Sequence, residues 1–265
     1  MNDHTQREYP AKPSDIYLFG TCLVDQFVPE AGLDAIRLLE REGIRVHFPM
    51  QQACCGQPAY TSGFPEEARA VALRQFDLFP QPWPVVVLSG SCAGMMRQHY
   101  PMLFVQDAAR LSQAQALAAR IFEFTEFLVH VVGFSRPDLA SPTTVALHTS
   151  CSARREMNVH VTGRGLLNSL DQVEVVQHGH EEECCGFGGL FSLRHPDISG
   201  AIANDKVQAI RKAGAHHVVS ADCGCLLNIL GRATGPDERA TSAPTPLTGE
   251  HIASFLWHRT TEANV

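Results

Sequence analysis

Cysteine occurs nine times in the 265 residues, and eight of the nine form two sets with one layout. The first set is Cys22, the adjacent pair Cys54 and Cys55, and Cys92. The second is Cys151, the pair Cys184 and Cys185, and Cys225. Cys22 to Cys151 is a step of 129 residues, Cys54 to Cys184 and Cys55 to Cys185 are steps of 130, and Cys92 to Cys225 is a step of 133. Each pair opens a CCG tripeptide that ends on Gly56 or Gly186. The closing segments also match in type, EFTEFL at 123–128 against HIASFL at 251–256. A chain that repeats itself at this period folds as like units. The expectation is an α/β protein of two duplicated, pseudo-symmetric lobes, residues 1–136 and 137–265, with mostly parallel sheets flanked by helices.

The segments between the cysteines support that class. Asp15–Phe19, with IYLF ending at Gly20, and IRVHF at 44–48 read as strands, and the apolar spacing of Ala31, Ala35, Leu38 and Leu39 predicts a helix over 29–43. Residues 66–79 read as a second helix and VVVL at 85–88 as a buried strand. The stretch 107–132 reads as helix-rich, and SRPDLASPTT at 135–144 as a linker. The second half then offers strands VALH at 145–148, VEVV at 173–176 and HVVS at 217–220, and a helix over 204–213. Residues 231–250 read as an extended loop before a final helix. Cys22, Cys54, Cys55 and Cys92 are expected in loops after strands, where parallel α/β folds place ligands, and the binding region between or atop the lobes.

Composition restricts the chemistry. The formal charge is −7, which argues against nucleic acid or an anionic membrane surface as the main partner. No apolar run is long enough for a membrane helix, and the polar opening MNDHTQREYPAKP lacks the pattern of a signal peptide, so a cytoplasmic location is expected. Nine cysteines in a reducing compartment are not a disulfide framework. Two fourfold thiol sets suit an iron–sulfur cluster or zinc, with metal-free thiol chemistry as a further reading. Adjacent thiolates reach the separated irons of a cluster more readily than a single small zinc ion. Gly56, Gly186, Gly188 and Gly189 permit close backbone approach. Cys223 can replace Cys225 as a ligand, add to it, or stay free; Gly90 stands at the matching place in the first half, so Cys225 is the expected ligand.

The remaining polar residues have bland and functional readings. His148, His178 and His180 lie near the second set and suit a supporting role more than direct ligation. Glu181, Glu182 and Glu183 read as a solvent-facing acidic loop or as charges that lower a cluster potential. Arg154 and Arg155 start a surface helix, neutralise a cluster, or bind a carboxylate. Gln57, Pro58 and Tyr60 shape the first CCG loop, and Trp83 and Trp257 read as packing residues. No motif supports nucleotide or flavin binding, and no acid–base pair for oxidising a hydroxy acid stands out, so catalytic residues are unassigned.

FGTCLVDQFVPEAG at 19–32, CCGQPAYTSG at 54–63, SGSCAGMMRQHYP at 89–101, ECCGFGGLFS at 183–192, NDKV at 204–207 and CGCLLNI at 223–229 carry a resemblance that spans residues 15–258. They resemble the CCG-domain cysteine-rich family of iron–sulfur oxidoreductase proteins. That family includes the cysteine-rich component of heterodisulfide reductase and the iron–sulfur subunits of glycolate- and glycerol-3-phosphate-oxidising enzymes. The chain is more similar to the L-lactate dehydrogenase complex E subunits, the lactate utilization A branch. The resemblance implies a non-autonomous subunit of a complex oxidising L-lactate to pyruvate, with electron transfer through bound iron–sulfur centres. Heterodisulfide reductase relatives have a fuller CxxC in each half, where this chain has Met95 and Asn228. A four-thiolate 4Fe-4S cluster is therefore the expectation, one per lobe or with one lobe empty. The chain lacks a ferredoxin cysteine run, so a ferredoxin-type partner subunit is implied, with any peripheral membrane association made through partners. Another 2-hydroxy acid such as glycolate, disulfide reduction, and a zinc-binding structural or regulatory module are the alternatives.

Overall fold

The computed structural model describes residues 7–234 and 246–262. Eight strands form two four-stranded sheets: β1 (Asp15–Phe19), β2 (Arg45–His47), β3 (Val85–Val87) and β4 (Ile121–Glu123), then β5 (Thr143–His148), β6 (Val173–Val176), β7 (His217–Ser220) and β8 (Thr248–His251). The spatial orders are β2-β1-β3-β4 and β6-β5-β7-β8, and every pairing is parallel. The two halves thus repeat one topology, with β1 and β5 in equivalent central places. Ile16, Leu18, Val85, Val86 and Val87 are all fully buried. Burial on both faces explains why these strands read as unbroken apolar runs rather than as alternation.

Helices cover the sheets. Pro29–Arg41 starts on proline, whose missing N–H costs nothing there, and turns Ala31, Ala35, Leu38 and Leu39 inward. The second-half helix Pro196–Lys212 begins eight residues before the predicted start at 204, because its first two turns lack the apolar rhythm. Two expectations are corrected. Within the stretch read as helical, Ile121–Glu123 is a strand; three residues running into EFTEFL carry no signal that separates strand from helix. Within the expected loop 231–250, residues up to Ala233 continue a helix and Thr248–His251 is a strand. TGEH has no apolar residue, so only pairing with β7 reveals it. Residues 235–245 of that loop lie outside the described residues.

The halves share one continuous core, which runs from Ile16 through Phe127 to Leu147, Leu166 and Leu256. Their closing helices are exchanged. Phe124–Phe127 of the first half packs on Val159–Asn168 of the second, and Ile252–Arg259 of the second packs on Pro29–Arg41 of the first. Thr125 and Thr162 hydroxyls meet at 2.6 Å across the first contact. Arg41 reaches across the second to Thr260 Oγ1 at 2.7 Å and Thr260 O at 2.8 Å.

Glu123, the last residue of β4, is fully buried beside this seam. Its Oε2 accepts from the backbone N–H groups of Thr125 at 2.7 Å and Glu126 at 3.0 Å, while Oε1 has no partner. Burial, with the nearby Glu126 and Asp222 carboxylates, pushes its pKa up to about 8. A raised carboxyl favours the folded chain while protonated, so this contribution is full below the unfolded value near 4.5 and is lost as pH rises through about 8. Glu123→Gln removes the titration and is expected to abolish a loss on the order of 2–4 kcal/mol between pH 5 and 8. Urea midpoints of both proteins across that range check it; parallel pH profiles would contradict it.

Candidate metal centre

The cysteines gather at the carboxyl ends of the strands. Five of them lie in the first turns of helices, and for Cys22 and Cys92 this corrects the expected loop placement. Cys22 opens Cys22–Phe27 and Cys151 opens Cys151–Met157. Cys92 and Cys225 are each the third residue of a helix, in Gly90–Gly94 and Cys223–Ala233. The chain turns from strand into helix so quickly that sequence periodicity shows no boundary between them. The two adjacent pairs do lie in loops, and each loop ends on a left-handed glycine, Gly56 (φ 86) or Gly186 (φ 87). A Cβ at Gly186 would stand 2.6 Å from Ser199 O, so no other residue fits that turn.

Each set forms a run of neighbouring sulfurs. In the first, Cys54 is hydrogen-bonded to Cys22 and Cys55, and Cys55 Sγ lies 3.2 Å from Cys92 Sγ. In the second, Cys184 is hydrogen-bonded to Cys151 and Cys185, and Cys185 Sγ lies 3.0 Å from Cys225 Sγ. These separations exceed the ~2.05 Å of a disulfide. Both sets open on one cavity of about 330 Å³ lined by all nine cysteines together with Gln57, Pro58, Phe187, Gly188 and Gly189. Hydrogen bonds from Cys22 and Cys55, then the Gly56 N–H, hold the Cys54 thiol down to about 3. Cys151, Cys185 and the Gly186 N–H hold Cys184 down to about 2. The donors Cys22 and Cys151 are pushed up by the same contacts and by burial. Cys54 and Cys184 are thus the sulfurs held toward the thiolate, and a metal that binds a neighbouring thiol must release its proton.

The sulfur-only donor sets and glycine turns fit a soft metal centre. His148 adds to the second set. It is fully buried, neither ring nitrogen has a partner, and it lies with Cys185 and Cys225 in a group whose ligand atoms fall within 4.8 Å of one another. That group can hold a metal ion. Burial lowers His148 to about 3 and His178 to about 4, so both rings are neutral at neutral pH. His180 instead pairs with Glu183 at 2.8 Å on the surface. Arg154 pairs with Glu182 at 2.7 Å and Glu181 at 3.6 Å, and Arg164 with Glu181 at 2.8 Å. Glu181 and Glu182 are thereby neutralised, and Arg154 is spent on them rather than on the cavity.

Cys223 is buried on the cavity wall, with Sγ 3.5 Å from Leu23 O of the other half, and burial pushes it up to about 12. Gln57 lines the cavity and donates to Ser91 O at 3.2 Å. Trp83 stacks on His47 and Trp257 faces Arg41, which are packing roles. Sequence reasoning missed Asp222, whose Oδ1 accepts from Ser89 Oγ at 2.8 Å and Ser91 N at 3.0 Å across the seam while Oδ2 is buried without a partner. It also passed over Lys206, although the NDKV stretch is where it stands.

The cysteine-rich domain model named CCG matches this chain twice, over residues 16–97 and 145–230. The chain belongs to the CCG cysteine-rich domain family. Each match contains one complete fourfold set. Among curated relatives, lactate utilization protein A of Macrococcus caseolyticus is 41% identical over 217 residues, covering 82% of this chain and 88% of that one. The Bacillus pumilus protein of the same name is 37% identical over 241 residues, covering 91% and 98%. That of Bacillus subtilis is 40% identical over 217 residues, covering 82% and 91%. Among solved structures, a hypothetical protein from Helicobacter pylori superimposes with a TM-score of 0.68 at 10% identity. The match covers 97% of this chain but 52% of that one, and it concerns the fold alone. No helix among the described residues is long and apolar enough to cross a membrane.

Proposed function

We propose that this CCG-family chain is the iron–sulfur electron-transfer subunit of a system that oxidises L-lactate to pyruvate, a non-autonomous oxidoreductase subunit working in the cytoplasm. The observation that supports the reading is the gathering of both fourfold sets on one cavity, at the carboxyl ends of equivalent strands. The lactate assignment draws on the name shared by relatives that align over most of their length. Cys22, Cys54, Cys55 and Cys92 would hold one 4Fe-4S cluster, and Cys151, Cys184, Cys185 and Cys225 the other. Bound there, such clusters supply one-electron transfer.

The protein's own part is to supply thiolates, to shield them and to fix their spacing. Gly56 and Gly186 amides point at the Cys54 and Cys184 sulfurs, at 3.4 Å and 3.3 Å, and stabilise negative charge on them. Hydride or proton removal from lactate belongs to a partner subunit, and a ferredoxin-type subunit would carry electrons onward. Any membrane association would be peripheral and made through those partners.

Anaerobic purification with iron, acid-labile sulfide and zinc assays tests the cluster. About four iron and four sulfide per half, with visible absorption that bleaches on reduction, is expected. Zinc without sulfide would overturn it, and the His148, Cys185 and Cys225 group is the observation that favours that second reading. Lactate-dependent bleaching in the presence of co-purified partners, absent with glycolate, tests the substrate.

A further inference from the structure

The backbone surroundings of the two cysteine sets are matched; the side chains behind them are not. Gln75 and Lys206 are each the eleventh residue of their helices, Pro65–Phe76 and Pro196–Lys212, and both are buried. Gln75 Nε2 donates to Cys54 O at 3.2 Å. Lys206 Nζ donates to Glu183 O at 2.9 Å and to His180 O. One position behind the cysteine loop thus holds a neutral amide in the first half and an ammonium in the second. A parallel exchange occurs beside it. Phe19 and His148 each end a central strand three residues ahead of a first cysteine, and Phe48 and His178 each stand six residues ahead of a pair. The second half has two buried imidazoles with no hydrogen-bond partner where the first has two phenyl rings.

We propose that Lys206 and His148 make the two halves redox-inequivalent, so that a cluster on Cys151, Cys184, Cys185 and Cys225 is reduced more readily than one on Cys22, Cys54, Cys55 and Cys92. The inference rests on the iron–sulfur reading above. Reduction adds one negative charge to a cluster, and a buried cation nearby is weakly screened and stabilises it. Lys206 lies close enough to Cys184, Cys185 and Cys225 to interact with each. A His148 ring nitrogen lies within 4.8 Å of the Cys185 and Cys225 sulfurs, a polar group that phenylalanine cannot supply. The acidic loop does not cancel this, because Arg154 and Arg164 hold Glu181 and Glu182, and the Glu183 side chain is 64% exposed, where solvent screens it. Asp222 borders both sets and its carboxylate acts on Cys225 against Lys206, but its Oδ1 accepts hydrogen bonds from Ser89 and Ser91 of the first half, which spread that charge. With both clusters bound, one electron would pass from the first, oxidising it, to the second, reducing it, and no bond or proton would move.

Full-length Cys55→Ser and Cys185→Ser chains, reconstituted anaerobically, isolate the second-half and first-half centres, with iron and sulfide counted before each titration. EPR-monitored reduction by dithionite is expected to give the second-half centre the more positive midpoint. Lys206→Gln and His148→Phe, each made in the Cys55→Ser chain, are expected to shift that midpoint toward the first-half value. Lys206→Gln in the Cys185→Ser chain is expected to shift nothing. Gln75→Lys in the Cys185→Ser chain raises the first-half midpoint and carries the test should Lys206→Gln fail to fold. Equal midpoints, the reverse order, or no response to the charge exchanges would overturn the inference while leaving the clusters in place. Absence of iron and sulfide from both chains would overturn the iron–sulfur reading, and this inference with it.

Discussion

Exchange of Cys185 for serine is expected to remove about half of the iron and sulfide that the chain binds under anaerobic conditions, and to leave the other half bound. Cys185 touches both Cys184 and Cys225, so its loss breaks the second set at its middle. A serine hydroxyl is a harder donor that soft iron centres accept poorly. The first set is complete without it, since Cys22, Cys54, Cys55 and Cys92 contact one another directly. Cys55→Ser should do the same from the other side, and the double variant should bind almost nothing. Iron and sulfide counts on the three proteins decide the matter. Both sets face one cavity, so the instructive contrary outcome is a single substitution that empties everything; that would mean one shared centre instead of two.

Arg259→Met is expected to lower global stability by ~3–5 kcal/mol, the cost of leaving a buried partner charge unpaired. The Arg259 side chain is 7% exposed and that of Asp138 is fully buried, with Nη2 2.6 Å from Oδ2. Arg259 also donates to Ser141 O at 2.6 Å, and Asp138 Oδ2 accepts from Gln172 N at 3.0 Å. The pair therefore ties the segment between the halves to the last helix and to the start of β6. Urea unfolding of Arg259→Met, Asp138→Ala and the double variant measures it. The double should cost much less than the sum of the singles, because no lone buried charge remains. Additive losses would show that the ion pair does not act as a unit.

Much of this arrangement was legible in the residues. β1, β6 and β7 match the predicted segments residue for residue, because IYLF, VEVV and HVVS are mostly apolar runs with clear stops. The cysteine spacing, a repeat that holds to within four residues along the half-chain, marked out thiols that line one cavity. β4 and β8 stayed hidden for opposite reasons, one inside a longer apolar stretch and the other without apolar residues at all. Asp222 and Lys206 were hidden because their roles depend on what lies across the seam or behind a loop, and a charged residue in sequence reads as surface. The equivalence of Gln75 with Lys206 was available from the repeat, but their burial was not.

The exchanged closing helices limit how the cavity can work. Each half has its last helix embedded in its neighbour, so the two cannot swing apart like the jaws of a clamshell without tearing open a common interior. Anything that delivers or collects charge must therefore approach a stationary rim, over gaps that thermal motion hardly alters. A rigid mount of this kind suits tunnelling over fixed spans, and it is poorly suited to engulfing a substrate.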